Sequence, residues 1–278
     1  MSAFGSTKRH RWLTIPTMNP YLTHLFVLVA TALIANGASH IHQYATIDSL
    51  LAGGYDSDFP CSRLVRPGHY GIGTFHQLDG EMLLLNGELF QIKADGSITR
   101  PKPDSITTPF ATVMDFDALD MIPIKQPKTL EALEATIENA FLSLNHLYGI
   151  HIKGTFSRVV TRSVPPQEEP YKPLVEVVRN QQVRFEKETV TGEIFGFWVP
   201  EYLEGVNVPG FHLHLISDDR SFGGHLLDLV MESGTVSWEP AMAFTLHFPD
   251  PESDFATINL LEEREAELRE VELGAPAQ

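Results

Sequence analysis

Residues 81–92 read EMLLLNGELFQI, in which Asn86-Gly87 separates two apolar runs. This arrangement favours a β-hairpin, because the two central residues of its tight turn need the positive φ that Asn and Gly adopt most readily. Asp79-Gly80 and Asp95-Gly96 mark further turns on either side. We therefore predict three or four antiparallel strands between residues 71 and 100. The sequence at 110–116 predicts another strand.

Strand and helix patterns alternate in the rest of the chain. Apolar residues at three- and four-residue steps, with Thr129 as a cap, predict a helix over 129–147. A short helix is predicted at 42–53, two strands around Gly154 at 149–164, and a charged helix or extended arm at 255–272. Residues 174–185 fit either state. Further strands are predicted at 191–199, 210–216, 225–232, 235–238 and 241–248.

These patterns predict an α+β fold with two β-sheet-rich subdomains, a few helices, and sheets that are mostly antiparallel or mixed. We place the division in the Pro-rich run at 165–170. The N-terminal mixed β-sheet subdomain then covers 42–165. The C-terminal β subdomain covers 166–278 and ends in the arm.

The composition limits the class of protein. A chain of 278 residues with 43% hydrophobic and 20% charged residues can bury a substantial core. Its formal net charge of −16 repels nucleic acids, so we exclude them as partners. Cys61 is the one cysteine of the sequence, which excludes an intrachain disulfide and a Cys-based zinc cluster. Any metal ion must therefore be held by His, Asp or Glu.

The N-terminus has the three-part layout of a secretory signal. Basic residues at 8–11 precede an uncharged apolar run at 25–35, and small residues follow it. We predict a targeting segment at 1–38 and a secreted or extracytoplasmic protein, with Met18 as an alternative start. The other interpretation is a buried or lipid-lying helix, in which case the protein stays in the cytoplasm.

Three histidines form the strongest candidate for chemistry. Residues 211–225 read FHLHLISDDRSFGGH, which gives His212, His214 and, after ten intervening residues, His225. Alternate residues of a strand point to the same face, so His212 and His214 should lie side by side. A turn at 217–220 lets the chain return antiparallel and place His225 opposite the pair. Three neutral imidazoles with open coordination positions suit Zn²⁺.

The alternative is three unrelated histidines with structural roles. Two on one face of a strand are harder to explain that way, since each buried imidazole needs a polar partner. The spacing also fits cupins, carbonic-anhydrase-like sites and other β-sheet metalloenzymes, so it does not name a reaction. His40 and His42 form a second His-x-His pair at the edge of the targeting segment.

Several blocks of sequence resemble the acetolactate decarboxylase family. Residues 71–81 (GIGTFHQLDGE) are similar to its GIGTF…LDGE block, and 210–214 with 223–225 are similar to its G-[YF]-H-L-H…GGH block. Residues 161–164, followed by Glu169-Pro170-Tyr171, resemble the block between them. The blocks stand in the family's order, and the resemblance runs from about residue 44 to 272.

The resemblance implies a reaction and a set of site residues. The reaction is metal-dependent decarboxylation of 2-acetolactate to (R)-acetoin and carbon dioxide, by a homodimer. The implied roles are zinc ligation by His212, His214 and His225, an active-site carboxylate at Glu81, substrate contact by Arg162, a C-terminal carboxylate at Glu272 with Glu270 as fallback, and a pocket-lining Thr74.

Other interpretations remain open from the residues alone. Glu81 and Arg162 could be ordinary strand charges, and the acidic run at 262–272 could be a solvated helix face. The whole protein could be another three-histidine metalloenzyme, such as a hydrolase or dioxygenase. It could also be an extracytoplasmic zinc-binding protein without turnover.

Overall fold

This computed structural model describes residues 39–118 and 120–273. They contain two β-sheets and five α-helices. The predicted targeting segment at 1–38 lies outside them. Within the described ranges, every helix is too short or too polar to cross a membrane. The strands are β1 (His40–Tyr44), β2 (Tyr70–Thr74), β3 (Glu81–Leu85), β4 (Glu88–Ile92), β5 (Ile98–Thr99), β6 (Ala111–Met114), β7 (Asp120–Ile124), β8 (Lys128–Thr129), β9 (Tyr148–Ser163), β10 (Val183–Val199), β11 (Gly210–Ser217), β12 (Gly223–Pro240) and β13 (Ala243–His247). The α-helices are α1 (Ile47–Leu51), α2 (Ser62–Val65), α3 (Leu130–Glu138), α4 (Leu174–Gln181) and α5 (Glu265–Leu273).

The first sheet has seven strands in the order β13-β1-β6-β2-β3-β4-β5. The pairs β2–β3, β3–β4 and β4–β5 are antiparallel, which confirms the strands predicted between 71 and 100. Asn86 and Gly87 join β3 to β4 with φ values of 49° and 81°, as the hairpin turn requires. The pairing of β1 with β13 is parallel, so this sheet is mixed.

The second sheet is antiparallel and closes on itself. Its order is β11-β10-β9-β12-β7, and β11 also pairs with the start of β12. The short β8 pairs with β12 as well. The two sheets with flanking helices confirm the predicted α+β class.

The two faces of the second sheet are buried against different partners. On one face, Phe195 and Phe197 of β10 pack with Phe90 and other apolar residues of the first sheet. The opposite face packs against α3, where Leu133 and Ile137 are buried. The surface between the two sheets is therefore enclosed by protein on both sides.

Several element boundaries differ from the sequence prediction. The helix predicted over 129–147 ends at Glu138. The sequence predicts two strands at 149–164, but the structure has the single strand β9 (Tyr148–Ser163). Gly154 lets the neighbouring strand approach, since a Cβ there would lie 2.5 Å from the Ser233 oxygen. Residues 225–238 likewise form one strand, which carries bulges at its register shifts. The first residues of the helix predicted at 42–53 belong to β1, because they pair with β6 and β13.

The two sheets do not divide the chain at residue 165. Strand β9 precedes that point but belongs to the second sheet, and β13 follows it but belongs to the first. Residues from 39 onward form one compact unit. The reason is that sheet membership follows from pairing between strands distant in sequence, which local patterns do not record.

A partly buried ion cluster on the second sheet centres on Glu193 of β10. Its carboxylate lies 2.9 Å from His151 Nε2 and 3.2 Å from Lys153 Nζ. The hydrogen bond from His151, reinforced by Lys153, lowers the pKa of Glu193 to about 2.

We expect Glu193→Gln to destabilise the protein in a pH-dependent way. Because the folded pKa is depressed, the carboxylate stabilises the fold fully above its unfolded pKa of 4.5, and this contribution is lost as the pH falls towards about 2. The difference in unfolding free energy from wild type should be about 1–2 kcal/mol at pH 7, after allowance for solvent screening. Denaturant titrations at pH 5, 4 and 3 follow the loss of this contribution, and a difference that grows as the pH falls over this range contradicts the assignment.

Candidate metal centre

The structure brings His212, His214 and His225 together on the face of the second sheet that looks towards the first. The strand β11 carries His212 and His214, and antiparallel pairing with β12 places His225 directly opposite His214. The ring centroids of the three residues lie 5.1–5.5 Å apart. Their exposed fractions are 8%, 1% and 2%, so the cluster is buried.

Glycine at 223 and 224 makes this pairing possible. Gly224 adopts a φ of +136°, which side chains other than glycine rarely tolerate, and a Cβ there would lie 2.4 Å from the Arg162 carbonyl oxygen. A Cβ on Gly223 would lie 2.5 Å from the Leu215 oxygen. These close approaches seat His225 between β9 and β11.

The three imidazoles present the donor set of a metal site. One ring nitrogen from each lies within 4.8 Å of the other two. The Nδ1 of His214 is 2.8 Å from the Met82 carbonyl oxygen, to which it donates as the protonated nitrogen, so Nε2 keeps its lone pair. His214 Nε2 and His225 Nδ1 are buried without any hydrogen-bond partner. Unpartnered buried nitrogens are costly, and a metal ion would satisfy them.

Burial also sets the protonation state of the imidazoles. Desolvation lowers the pKa of His214 to about 3, with Arg162 adding to the effect and the Met82 carbonyl opposing it. Desolvation likewise lowers the pKa of His212 and His225 well below the usual value. All three rings are therefore neutral near pH 7, which is the form that binds metals.

A buried ion pair lies beside the histidines. The guanidinium of Arg162 on β9 donates from Nη1 to Glu81 Oε1 at 3.1 Å, and Glu81 Oε2 lies 3.7 Å from His214 Nε2. Pairing between β9 and β12 puts Arg162 opposite His225. Burial raises the pKa of Glu81 to about 7, although the charge of Arg162 opposes this rise.

The C-terminal helix α5 brings a second carboxyl group to the cluster. Glu272 Oε2 lies 3.6 Å from His225 Nε2, and the Val271 carbonyl oxygen accepts from Arg162 Nη2 at 3.4 Å. Burial raises the pKa of Glu272 to about 7; Arg162 opposes the rise and Glu81 adds to it. Glu270 instead pairs with Arg179 on the outer side of the helix.

Thr74 occupies a supporting position next to Glu81. The two residues are register partners on β2 and β3, and Thr74 Oγ1 donates to the Gly80 carbonyl oxygen at 2.8 Å. Its hydroxyl is thus engaged with the turn that precedes Glu81. Two partners that sequence reasoning did not identify are the carbonyls of Met82 and Val271. A backbone carbonyl is the same for every residue type, so the sequence does not mark it as a partner. The one indication for Met82 is that it directly follows the candidate site residue Glu81.

Comparisons with known proteins agree with this architecture. The model of the family described as alpha-acetolactate decarboxylase matches residues 41–262, so Glu272 lies beyond the matched range. The alpha-acetolactate decarboxylase of Methanosarcina mazei is 45% identical over 240 residues, which cover 86% of this chain and 82% of that protein. The one from Bacillus subtilis strain 168 is 40% identical over 222 residues, which cover 80% of this chain and 86% of that protein.

A solved structure extends the similarity to three dimensions. The crystal structure of the alpha-acetolactate decarboxylase from Bacillus subtilis strain 168 superposes with a TM-score of 0.81 at 38% identity. The superposition covers 85% of this chain and all of that one. The three histidines lie within residues 41–262, the range that the family model matches. The chain therefore belongs to the alpha-acetolactate decarboxylase family, a family of enzymes.

Proposed function

We propose that this protein decarboxylates 2-acetolactate to (R)-acetoin and carbon dioxide at a zinc ion held by His212, His214 and His225. The observation that carries the proposal is the set of three buried, neutral imidazoles, two with unpartnered nitrogens, beside the ion pair of Glu81 and Arg162. Family membership supports the reaction, and the geometry supports these residues as its site.

The donor set favours zinc. Three imidazole ligands leave open coordination positions, as in catalytic zinc sites, and they add no negative charge that would cancel the attraction for an anionic substrate. When bound, the ion supplies a Lewis acid that stabilises negative charge developing on the ketone oxygen of the substrate.

Arg162 is placed to hold the substrate carboxylate. Its Nη1 contacts Glu81 and its Nη2 contacts the Val271 carbonyl, but its Nε is buried without a partner. A carboxylate that accepts from Nε would gain a charge-assisted hydrogen bond and complete the coordination of the guanidinium. This contact fixes which bond of the substrate breaks.

Glu81 and Glu272 are the two acids that can finish the reaction. Loss of carbon dioxide leaves an enediolate, which becomes acetoin when one face of its carbon receives a proton. Burial raises the pKa of both carboxyl groups to about 7, so each holds a proton part of the time near neutral pH. Because each carboxyl group has a fixed position, protonation occurs from one face and yields a single enantiomer.

The proposal also covers the location of the enzyme and its oligomeric state. The layout of residues 1–38 supports export through an N-terminal signal. The family resemblance supports a homodimer.

Purified protein should convert racemic acetolactate to acetoin, and a chelator should abolish the conversion until Zn²⁺ is restored. Acetoin and carbon dioxide are measured in parallel with ester hydrolysis and oxygen uptake. Hydrolysis or oxygen uptake without acetoin would identify another three-histidine enzyme. Zinc binding without any turnover would identify a binding protein.

His214→Ala should bind one zinc ion fewer than wild type and should lose activity, because two imidazoles hold zinc far more weakly than three. Zinc content after dialysis, measured by elemental analysis, and acetoin formation are the readouts. The exposed His146 provides the matched control, and His146→Ala should keep both. A zinc content equal to that of wild type in His214→Ala would refute the assignment of the ligands.

Glu272→Gln and Glu81→Gln should separate the proton donor from the other carboxyl group. Loss of a positioned donor typically slows a reaction about 10²–10⁴-fold. The donor's variant should also give acetoin of reduced enantiomeric purity, since solvent then protonates both faces. Chiral chromatography of the product measures this purity. Glu270→Gln is the control, because Glu270 pairs with Arg179 and not with the histidines. If Glu81→Gln and Glu272→Gln both gave enantiomerically pure acetoin at the full rate, neither glutamate would take part in the mechanism.

A further inference from the structure

A second group of histidines lies outside the candidate metal centre, on the first sheet. His40 and His42 occupy alternate positions of β1, and His247 lies on the parallel neighbour β13. The register pairs His42 with Thr245 and Tyr44 with His247, so the three imidazoles project from one face. All three are partly exposed and can be reached from solvent.

The ring nitrogens of two of these residues face each other. His42 Nδ1 lies 3.4 Å from His247 Nε2. This separation is longer than the roughly 2.7–3.2 Å of ordinary hydrogen bonds from nitrogen donors. A tetrahedral zinc ion with Zn–N bonds of about 2.0–2.1 Å separates its ligand nitrogens by about 3.3 Å. The pair therefore already has the spacing that one shared ion would impose.

His40 is the third potential donor. Its ring stacks on that of His42, with centroids 4.1 Å apart, and its Nε2 lies 2.7 Å from Thr245 Oγ1. Rotation of the His40 side chain would exchange the Thr245 contact for a metal bond. This rotation would cost the Thr245 hydrogen bond and the stacking on His42, so the site should be weaker than the buried one.

The charges around His247 are mixed. Arg63, which lies over the Phe59 ring, borders the same cavity of about 410 Å³ as His247, together with Asp58 and Asp250. Arg63 brings positive charge to this cavity, and Asp58 and Asp250 bring negative charge to it. Imidazole donors favour Zn²⁺, Ni²⁺ and Cu²⁺ over Mg²⁺ and Ca²⁺, which prefer oxygen ligands.

We propose that His42 and His247, completed by His40, bind a second transition-metal ion that ties the edge strand β13 to β1. The ligands come from opposite ends of the described chain, so the ion links residues that are distant in sequence. Because it binds the folded state, it should raise the melting temperature beyond the effect of the first ion. The site is independent of the proposed reaction, so a failure of either proposal leaves the other standing.

The experiment is a Zn²⁺ titration of the protein whose three-histidine site is already filled. Isothermal calorimetry and equilibrium dialysis with elemental analysis give the number of bound ions. His42→Ala and His247→Ala should each bind one ion fewer than wild type, while retaining the first ion as a check on folding. His40→Ala should weaken the second site without abolishing it, because His42 and His247 remain as ligands.

Two control variants locate the second ion. His146→Ala removes an exposed histidine elsewhere and should bind as many ions as wild type. Asp254→Asn alters the exposed carboxylate cluster of Asp56, Glu169 and Asp254, and should also match wild type. The proposal is overturned if wild type takes up no second ion, or if His42→Ala and His247→Ala bind as many ions as wild type.

Discussion

The antiparallel pairing of β11 with the start of β12 is the constraint on which the rest of the site depends. It closes the second sheet and sets His225 opposite His214. Since β9 pairs with β10 and β12, the same closure places Arg162 opposite His225. The close approach at Gly224 is the local condition for this arrangement. One set of backbone hydrogen bonds thus fixes four side chains of the candidate site on a single face.

Burial between the two sheets gives these side chains their chemistry. The same desolvation lowers the pKa of the imidazoles and raises the pKa of Glu81 and Glu272. Neutral rings can bind a metal, and protonated carboxyl groups can donate. Burial of charged groups also costs free energy. A buried ion pair such as Glu81 with Arg162 therefore contributes little net stability to the fold. Removal of one partner typically destabilises a protein by about 3–5 kcal/mol, because the other charge is then buried alone. We infer that the pair is kept for its function.

The position of Glu272 depends on how α5 packs. Leu268 and Val271 are buried against Val175 and Val178 of α4, and the outer face of the helix is held by the ion pair of Glu270 with Arg179. Residues two positions apart on an α-helix point in nearly opposite directions, since each residue turns the helix by about 100°. This rotation explains why Glu272 reaches His225 while Glu270, in the same acidic run, remains outside.

The amino-acid sequence alone determined the features that depend on interactions between residues close together in the chain. The Asn86-Gly87 hairpin, the face shared by His212 and His214, and the return to His225 follow from backbone geometry, period-two alternation and glycine. The tertiary structure alone decided that residues 148–163 form one strand, that β13 joins the first sheet, and that Glu272 rather than Glu270 faces the histidines. It also supplied the Met82 carbonyl that orients His214. These features arise from contacts between segments far apart in the chain, and no local pattern encodes such contacts.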